Sequence, residues 1–358
     1  MPARPSTNST ACTDRRLRLI CAPGLQPHEA RLAATADLEK GAARLQQAVA
    51  ALAGQEAADS GRFGIAVSGG ADSLALLLLS QAAFPGRVAA ATVDHRLRQA
   101  SAAEARFVSH LCRERSIPHA TLEPSMPITG NLQSAARSAR YALLDLWRTE
   151  QKLDWVMTAH HGDDQLETLV MRVNRSSGVG GMAGIRGRQD HLLRPLLNWR
   201  RADLEALLKE QAITPVDDPS NRDARFDRAR IRPLVQSCTL IDPVAANAMA
   251  NNMAAADRAL DWATDQLARQ RLERHGNQWL LDSSDIPEEL LRRLLLRALR
   301  QAAGQNFAPR GRQITATIQA LARGEQAMLG TLLIKADRHN GDLWLIQPAP
   351  PVRQQSVE

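Results

Sequence analysis

The stretch Arg62–Ser73 reads RFGIAVSGGADS, and it decides the fold of the first part of the chain. Arg62–Val67 is a short β-type run, and the glycine turn Ser68–Gly70 ends it. Asp72–Ala83 continues as a strongly apolar helical segment. Glycine N–H groups and the start of a helix both attract anions. A strand, a glycine turn and a helix in this order therefore favour a phosphate-binding loop.

The predicted loop consists of Ser68, Gly69, Gly70, Ala71, Asp72 and Ser73. It lacks the Gly-Lys-Ser/Thr of the common P-loop. Because Asp72 cannot favour an anion by itself, we expect a magnesium ion to bridge its carboxylate to the phosphates. The alternative is a plain glycine turn in which Asp72 caps the helix.

Strands and helices alternate from this loop to Asn174. The later strands are predicted at Arg87–Val93, Ile117–Leu122 and Asp154–Ala159, and the later helices at Ala102–Arg115, Asn131–Thr149 and Asp163–Asn174. This order predicts an α/β fold with a doubly wound parallel sheet and helices on both faces. Since ligands bind at the carboxyl ends of parallel strands, Asp94 and His95 should face the same crevice as Ser68–Ser73.

The pattern changes after Gly184, and a smaller C-terminal α+β domain is predicted. Asp242 and Pro243 suit the N-cap and first turn of a long helix to about Arg271. Strands are predicted at Gln278–Leu281, Met328–Lys335 and Asp342–Ile346, with a turn at Asn340-Gly341 between the last two. The predicted organisation is a disordered extension over 1–28, a nucleotide-binding domain over 29–241 and a second domain over 242–358 with a Pro-rich tail.

Composition narrows the function classes. The 358 residues are 44% hydrophobic and 23% charged, which argues against a wholly disordered or fibrous protein. A net charge of +7, carried almost wholly by arginine, fits a polyanionic partner or a compositional habit. Cysteines at 12, 21, 112 and 238 have no CxxC or zinc spacing, so no zinc finger or iron–sulfur cluster is expected. No run approaches the ~20 apolar residues of a membrane helix and no secretory signal is predicted, so we expect a cytoplasmic protein.

A second motif, Thr158–Thr168, reads TAHHGDDQLET and follows a predicted strand. In a helix that starts near Asp163, Glu167 is four residues from Asp163 and three from Asp164, so three carboxylates lie near one another. Like charges so close need a cation among them, which suits magnesium coordination or a base that deprotonates an attacking amine. His160 and the next histidine would donate to phosphate or to developing charge. Helix capping alone would account for only one of these carboxylates.

The loop SGGADS resembles that of the PP-loop ATP pyrophosphatases, which have an adenine nucleotide alpha-hydrolase-like fold. Within that superfamily the chain resembles the lysidine synthases that modify isoleucine tRNA. The matching segments are VDHRLR at 93–98, ARSARY at 136–141, AHHGDDQLET at 159–168, RPLL at 194–197, DPSN at 218–221 and RARIR at 228–232. The chain departs from the family pattern at Ser176, Met182 and Ala229, where glycine, leucine and asparagine are usual.

The resemblance implies an ATP-dependent ligase that acts on tRNA(Ile) with a CAU anticodon. ATP would adenylate the C2 oxygen of the wobble cytidine and release pyrophosphate. The side-chain amine of L-lysine would then displace AMP, and the lysidine so formed would switch decoding from AUG to AUA. The second domain, 242–358, is expected to contact the tRNA.

The resemblance also implies site residues. Catalytic roles fall to Asp72, His160, Asp163, Asp164, Glu167 and Arg228, with Mg²⁺ held by Asp72 and Asp164. ATP contacts are expected from Ser68, Gly69, Gly70, Ala71, Asp72, Ser73, Asp94 and His95. RNA contacts are expected from Arg98, Arg137, Arg140, Arg175 and Arg232. Which carboxylate accepts the amine proton stays open at this point.

Two other functions fit parts of the pattern. A tRNA 2-thiolation enzyme shares the fold, but such enzymes generally need paired cysteines. A non-catalytic nucleotide-binding sensor would leave the three carboxylates without a role. No membrane association is expected, and a homodimer is reasonable for the family.

Overall fold

The structure is a computed structural model that describes residues 27–95, 99–125, 132–216, 227–238, 240–337 and 339–350. Arg98, the segment 217–226 and most of the predicted extension therefore lie outside the described residues. The chain divides into two compact units, Met1–Ala159 with Ala202–Asp217 and His160–Arg201 with Asp218–Glu358. This division concerns compactness alone, and the domain boundary predicted near Asp242 stays a prediction.

Helices and strands alternate in the first half of the chain. They are α1 Pro27–Ala53, α2 Gln55–Ser60, β1 Phe63–Ala66, α3 Ala71–Ala83, β2 Val88–Val93, α4 Gln99–Glu114, β3 His119–Leu122, α5 Leu132–Glu150 and β4 Trp155–Met157. The second half contains both helices and strands. Its elements are α6 Gly162–Asn174, α7 Val179–Met182, β5 Arg188–Gln189, β6 Leu192–Leu193, α8 Arg201–Glu210, α9 Asp227–Ser237, α10 Pro243–Arg271, β7 Leu272–His275, β8 Gln278–Asp282, α11 Glu288–Ala303, α12 Gly311–Ala322, β9 Ala327–Leu329, β10 Leu332–Ala336 and β11 Leu343–Pro348.

The first unit contains a parallel sheet with the strand order β3-β2-β1-β4. Phe63 in β1 lies opposite Val88 in β2 on one side and opposite Trp155 in β4 on the other. The chain adds β2 and β3 on one side of β1 and then returns to add β4 on the other side. This change of direction is the topological switch of a doubly wound sheet, so the prediction is confirmed, and ligands bind such sheets beside the switch.

The centre of the first unit is a buried apolar core. All four residues of β1 are buried, and the side chains of Leu74–Leu79 in α3 are buried on every face of that helix. Helix α3 packs between β1 and α1, which explains why its sequence is apolar throughout instead of amphipathic. The rigid core fixes the end of β1, and the predicted phosphate loop starts there.

The described residues of the second unit include two apolar centres. One joins α6, α9 and α10 through Leu166, Leu169, Val235 and Ala250. The other packs α11 and α12 against an antiparallel sheet with the strand order β7-β8-β11-β10-β9. As predicted, the Asp242 carboxylate caps α10 by accepting a hydrogen bond from the Val244 amide at 3.0 Å.

Two details of the C-terminal sheet differ from the prediction. The strand predicted at Met328–Lys335 is a hairpin of β9 and β10, because Gly330 adopts a φ of +58° and turns the chain back. The turn at Asn340-Gly341 is part of a longer connection between β10 and β11, in which the Asp337 carboxylate accepts hydrogen bonds from two backbone amides. Strand β7 was not predicted, since LERH carries no alternating apolar pattern.

Within the part of the chain that the structure describes, no helix is both long enough and apolar enough to cross a membrane.

Replacement of Gly64 should test the packing at the centre of the first unit. A Cβ at Gly64 would lie 2.4 Å from Cζ3 of Trp147 and 2.9 Å from Cδ1 of Leu153. We expect Gly64→Ala to lower the free energy of unfolding by about 1–3 kcal/mol through overpacking. Gly341→Ala is the control, because a Cβ there meets nothing within 4 Å. Equal urea-denaturation curves for the two variants would contradict the packing assigned to β1.

Candidate active site

The loop after β1 has the geometry of a phosphate cradle. Gly69 has a φ of +86°, which glycine adopts without strain, and its carbonyl accepts a hydrogen bond from the Val216 amide at 3.0 Å. The buried Ser73 hydroxyl accepts a hydrogen bond from the Ser68 amide at 3.1 Å and donates to the Gly70 carbonyl at 2.9 Å. Ser73 thus closes the loop, and the first amides of α3, which have no acceptor within the helix, remain available to an anion.

Asp72 lies in the first turn of α3, directly after the glycines. Mg²⁺ prefers one or two carboxylates together with phosphate oxygens and water, and it seldom uses a cage made only of protein ligands. A single carboxylate beside a phosphate cradle therefore fits a magnesium ion that arrives with a nucleotide. Within the described ranges, no three His, Cys, Asp or Glu side chains converge to hold a metal by themselves.

A cluster of basic side chains lies near the carboxyl end of β2 in the same unit. His95 follows the buried Asp94; burial lowers the pKa of His95, and the Arg140 guanidinium lowers it further. Burial also lowers the pKa of Arg140, with Arg137 adding to the effect. The Arg137 guanidinium lies 5.1 Å from the ring centre of Tyr141, a cation–π contact. The guanidinium groups of Arg137 and Arg140 interact with each other, and two positive charges in one place favour the binding of an anion.

In the second unit, the start of α6 holds its own carboxylates. His161 is the N-cap residue, and its amide donates to Oδ2 of Asp164 at 3.0 Å. Asp163 turns away from this contact, and its Oδ2 accepts a hydrogen bond from the Arg201 amide at 2.8 Å. The imidazole of His161 lies 3.5 Å from each of these two carboxylates. Asp163 and Asp164 therefore accept hydrogen bonds from different backbone amides, although both lie beside His161.

Glu167 and Asp164 share two arginines of α9. Arg228 donates from Nε to Oε2 of Glu167 at 2.7 Å and from a terminal nitrogen to Oδ1 of Asp164 at 2.6 Å. Arg232 donates from Nε to Oε1 of Glu167 at 2.8 Å. The Glu167 side chain is 3% exposed, whereas that of Arg228 is 38% exposed. The sequence analysis predicted a cation among these carboxylates, and in the structure guanidinium groups provide that positive charge.

These contacts keep the aspartates ionised. Burial by itself would raise the pKa of Asp164, but His161, Arg228 and His160 outweigh burial and lower it. Burial would likewise raise the pKa of Asp163, and hydrogen bonds from His161 and the Arg201 amide lower it. Both groups are therefore carboxylates at neutral pH, ready to attract a cation.

The structure places the predicted residues in two sets, which we describe separately. The first unit groups Ser68–Ser73 in the loop, and Asp94, His95, Arg137 and Arg140 near the end of β2. The second unit groups His160, Asp163, Asp164, Glu167, Arg228 and Arg232. Arg175 is the C-cap residue of α6, at the opposite end of that helix from its acidic residues.

One buried residue of the motif had no role in the sequence analysis. Gln165 has no exposed surface, and its amide donates to the Ile185 carbonyl and to Oδ1 of Asn247, both at 3.0 Å. Its Oε1 accepts the Ile185 amide at 2.7 Å. Gln165 therefore ties α6 to α10 and to the segment after α7. The sequence did contain a signal that could have identified Gln165. It is an uncharged polar residue among acidic ones, and neither helix capping nor catalysis gave it a role.

Glu167→Gln should reveal the cost of breaking the arginine cluster. The variant removes the charge that two guanidinium groups share in a buried position, and we expect the free energy of unfolding to fall by about 3 kcal/mol. Glu325→Gln is the matched control, because its pair with Arg323 is exposed to solvent and should matter little. Similar urea midpoints for the two variants would contradict a structural role for this cluster.

Asp164→Asn should destabilise the protein in a pH-dependent way. The folded-state pKa of Asp164 lies below its ordinary value of about 3.9, so its charge stabilises the fold above about pH 4. The contribution should disappear as the pH falls through the lower folded-state pKa. We expect the difference in unfolding free energy between wild type and variant to be full at pH 7 and to shrink below pH 4. A difference in unfolding free energy that stays constant from pH 7 to below pH 4 would contradict the ionised state assigned to Asp164. The exposed variant Asp59→Asn is the control, and its difference from wild type should depend little on pH.

Comparisons with known proteins concern the family of the chain. Residues 39–238 match the family model of the PP-loop domain. The chain is 39% identical over 302 residues to the tRNA(Ile)-lysidine synthase of Zymomonas mobilis subsp. mobilis, covering 82% of this chain and 90% of that protein. It is 42% identical over 302 residues to the tRNA(Ile)-lysidine synthase of Novosphingobium aromaticivorans, covering 82% of this chain and 91% of that protein.

A solved structure shows the same fold. The U34-tRNA thiolase NcsA from Methanococcus maripaludis matches 62% of this chain and 80% of its own, with a TM-score of 0.52. At 14% identity this likeness concerns the fold alone. The family is shown instead by the PP-loop match over more than half of the chain and by relatives that align along nine tenths of their length. The chain belongs to the tRNA(Ile)-lysidine synthase family of PP-loop enzymes.

Proposed function

We propose that this enzyme ligates L-lysine to C2 of the wobble cytidine of a tRNA(Ile) with a CAU anticodon, at the expense of ATP. ATP adenylates the C2 oxygen and pyrophosphate leaves; the lysine amine then forms the C–N bond and AMP departs. The observation that carries the proposal is the pair of ionised carboxylates at the start of α6, held by α9, in a chain of this family.

ATP is assigned to the loop after β1. The amides at the start of α3 and the exposed Ser68 hydroxyl would donate hydrogen bonds to phosphate oxygens, and Arg137 and Arg140 would balance the negative charge that develops on the leaving pyrophosphate. Asp72 would hold a magnesium ion on those phosphates, and the ion would supply further charge neutralisation. Asp164 is less suited to the metal, since its Oδ1 and Oδ2 already accept hydrogen bonds from Arg228 and from the His161 amide.

The lysine amine is assigned to the carboxylates of α6. With a pKa of about 10.4 the amine is protonated at neutral pH, so it must lose a proton before it attacks. Asp164 and Glu167 already share a cation, the guanidinium of Arg228. We propose that the substrate ammonium replaces this partly exposed guanidinium between the two carboxylates, and that one of them takes the proton. Glu167 keeps its hydrogen bond from Arg232 throughout.

The 2-thiolation alternative finds no support in the described residues. Cys112 is buried in α4, where burial raises the pKa of its thiol to about 11, so it is a poor source of thiolate. Cys238 follows α9 and, like Cys112, is a free thiol.

Location and assembly are proposed on the same basis. The substrate tRNA and free lysine are cytoplasmic molecules, and we propose that the enzyme acts there without a membrane. Homodimer formation stays a prediction.

The direct test of the function is mass spectrometry of nucleosides from a CAU-anticodon tRNA(Ile) transcript after incubation with ATP, Mg²⁺ and lysine. The reaction should yield lysidine and consume the wobble cytidine. AMP formation should require the tRNA, and a transcript with another wobble base should give neither product. Binding of ATP without tRNA-dependent AMP formation would indicate the nucleotide sensor instead.

Asp72→Asn should abolish adenylation while the fold is retained. The amide keeps the shape of the side chain but cannot hold Mg²⁺ against phosphate. We therefore expect the rate of AMP formation to fall at least about 100-fold, which is the usual effect of removing one group that stabilises charge in a transition state. Asp59→Asn, an exposed change in the same unit, should retain wild-type turnover. Wild-type AMP formation by Asp72→Asn would overturn the magnesium assignment.

A further inference from the structure

The second unit contains a chain of hydrogen-bonded amide side chains that the proposed reaction does not use. Gln165 lies in the first turn of α6 and has no exposed surface. Its Nε2 donates to Oδ1 of Asn247 in α10 at 3.0 Å, and Nδ2 of Asn247 donates to Oδ1 of Asn198 at 2.6 Å. Asn247 is buried as well, whereas Asn198 is exposed. The chain therefore leads from a buried side of α6 to the surface by way of α10.

Every polar atom of the Gln165 side chain has a partner. Nε2 donates its second hydrogen to the Ile185 carbonyl at 3.0 Å, and Oε1 accepts a hydrogen bond from the Ile185 amide at 2.7 Å. A side chain that donates twice and accepts once in this place has to be a carboxamide. An ionised glutamate would oppose its oxygens to Oδ1 of Asn247 and to the Ile185 carbonyl, and an apolar residue would remove the partners of these groups.

Gly184 leaves the space that Gln165 occupies. Its φ of +56° lies in the left-handed region, which glycine adopts without strain, and a Cβ there would collide with Oε1 of Gln165. Because this position has no side chain, the backbone after α7 comes close enough for Ile185 to bond the amide on both sides. Gln165 and Gly184 are therefore fitted to each other.

Gln165 anchors a different side of α6 from the one that presents the carboxylates. Helical residues follow one another at about 100°, so Gln165 and Glu167 point about 200° apart around the helix axis. Gln165 contacts α10 and Ile185, whereas Asp164 and Glu167 bind Arg228 of α9. Without exposed surface, Gln165 cannot touch a substrate, but it fixes the rotation of the first turn and with it the direction of both carboxylates.

Backbone hydrogen bonds close the network at the start of α6. The Gly162 amide donates to the Trp199 carbonyl at 2.8 Å, and the Arg201 amide donates to Oδ2 of Asp163 at 2.8 Å. Trp199 directly follows Asn198, the last member of the amide chain. The helix start, α10 and the segment 198–201 are thus linked in a ring, in which a shift of one member breaks a hydrogen bond to another.

We propose that Gln165, acting through Asn247, is a positioning residue that holds Asp164 and Glu167 at the separation in which they share one cation. The proposal rests on the function proposed above, in which the substrate ammonium is that cation. Loss of the amide lets the first turn of α6 rotate, and the two carboxylates then bind an ammonium less tightly.

The test is steady-state kinetics of the full chain with Gln165→Met, which keeps the length of the side chain and removes its hydrogen bonds. We expect KM for lysine to rise about tenfold, as on loss of the groups that orient metal ligands, while KM for ATP stays within about twofold of wild type. A variant that is merely less stable contains fewer active molecules, so its kcat falls while both KM values are retained.

Leu169→Ala is the matched control for destabilisation of α6. Leu169 lies on the same helix and is buried in its apolar centre, but its side chain is outside the amide chain. Its truncation leaves a cavity that lowers the midpoint of thermal unfolding, whereas KM for lysine should stay at the wild-type value. An equal rise of KM for lysine in Leu169→Ala and Gln165→Met would show a general effect of weakening α6 and would overturn the proposal.

Asn247→Ala tests the route through α10. It keeps Gln165 and removes its partner, so it decides the question if Gln165→Met does not fold. We expect KM for lysine to rise in this variant as well, and the double variant to be no worse than Gln165→Met alone, because both changes break one chain. Effects that multiply in the double variant would show independent roles and overturn action through Asn247.

The outcomes separate this proposal from the proposed function. A wild-type enzyme that forms lysidine, with folded Gln165→Met or Asn247→Ala variants that retain the wild-type KM for lysine, would overturn the positioning role and leave the function intact. A wild-type enzyme that forms no lysidine would overturn the function and this inference with it. Circular dichroism and thermal unfolding midpoints establish which variants are folded.

Discussion

The second unit depends on one electrostatic constraint, the close approach of Asp164 and Glu167 at the start of α6. Two carboxylates three residues apart repel each other, and burial of Glu167 increases the cost because little water remains to solvate it. Arg228 and Arg232 meet this cost with four hydrogen bonds of 2.6–3.5 Å. Since both arginines belong to α9, the ion pairs position that helix beside α6.

The residues around Asp164 and Glu167 both pack the helices together and set the charge of the site. The apolar side of α6 packs against α9 and α10, while its acidic residues pair with α9. The charges that fix α9 also keep Asp164 ionised. Arg175 lies at the other end of the same helix, as its C-cap residue.

Much of the fold could be predicted because its signals are local. Strand and helix periodicity identified the elements from β1 to α6, and the glycine turn located the phosphate loop. The hairpin at Gly330 was missed because one glycine inside an apolar run does not reveal a reversal of the chain. Strand β7 was missed because LERH forms a strand only when β8 offers a partner. Pairing of strands is a property of neighbours in space, and sequence patterns describe neighbours in the chain.

The sequence by itself determined the chemistry that is present: a phosphate loop with one aspartate, and a helix start with two histidines and three carboxylates. It also determined that the carboxylates need a cation. Only the tertiary structure decided which cation each one meets, because Arg228 and Arg232 are more than sixty residues away from Glu167 in the chain. The same holds for the net charge of +7. Composition left that charge ambiguous, whereas folding pairs some arginines with acidic residues and leaves others exposed to solvent, and only distances in space distinguish the two.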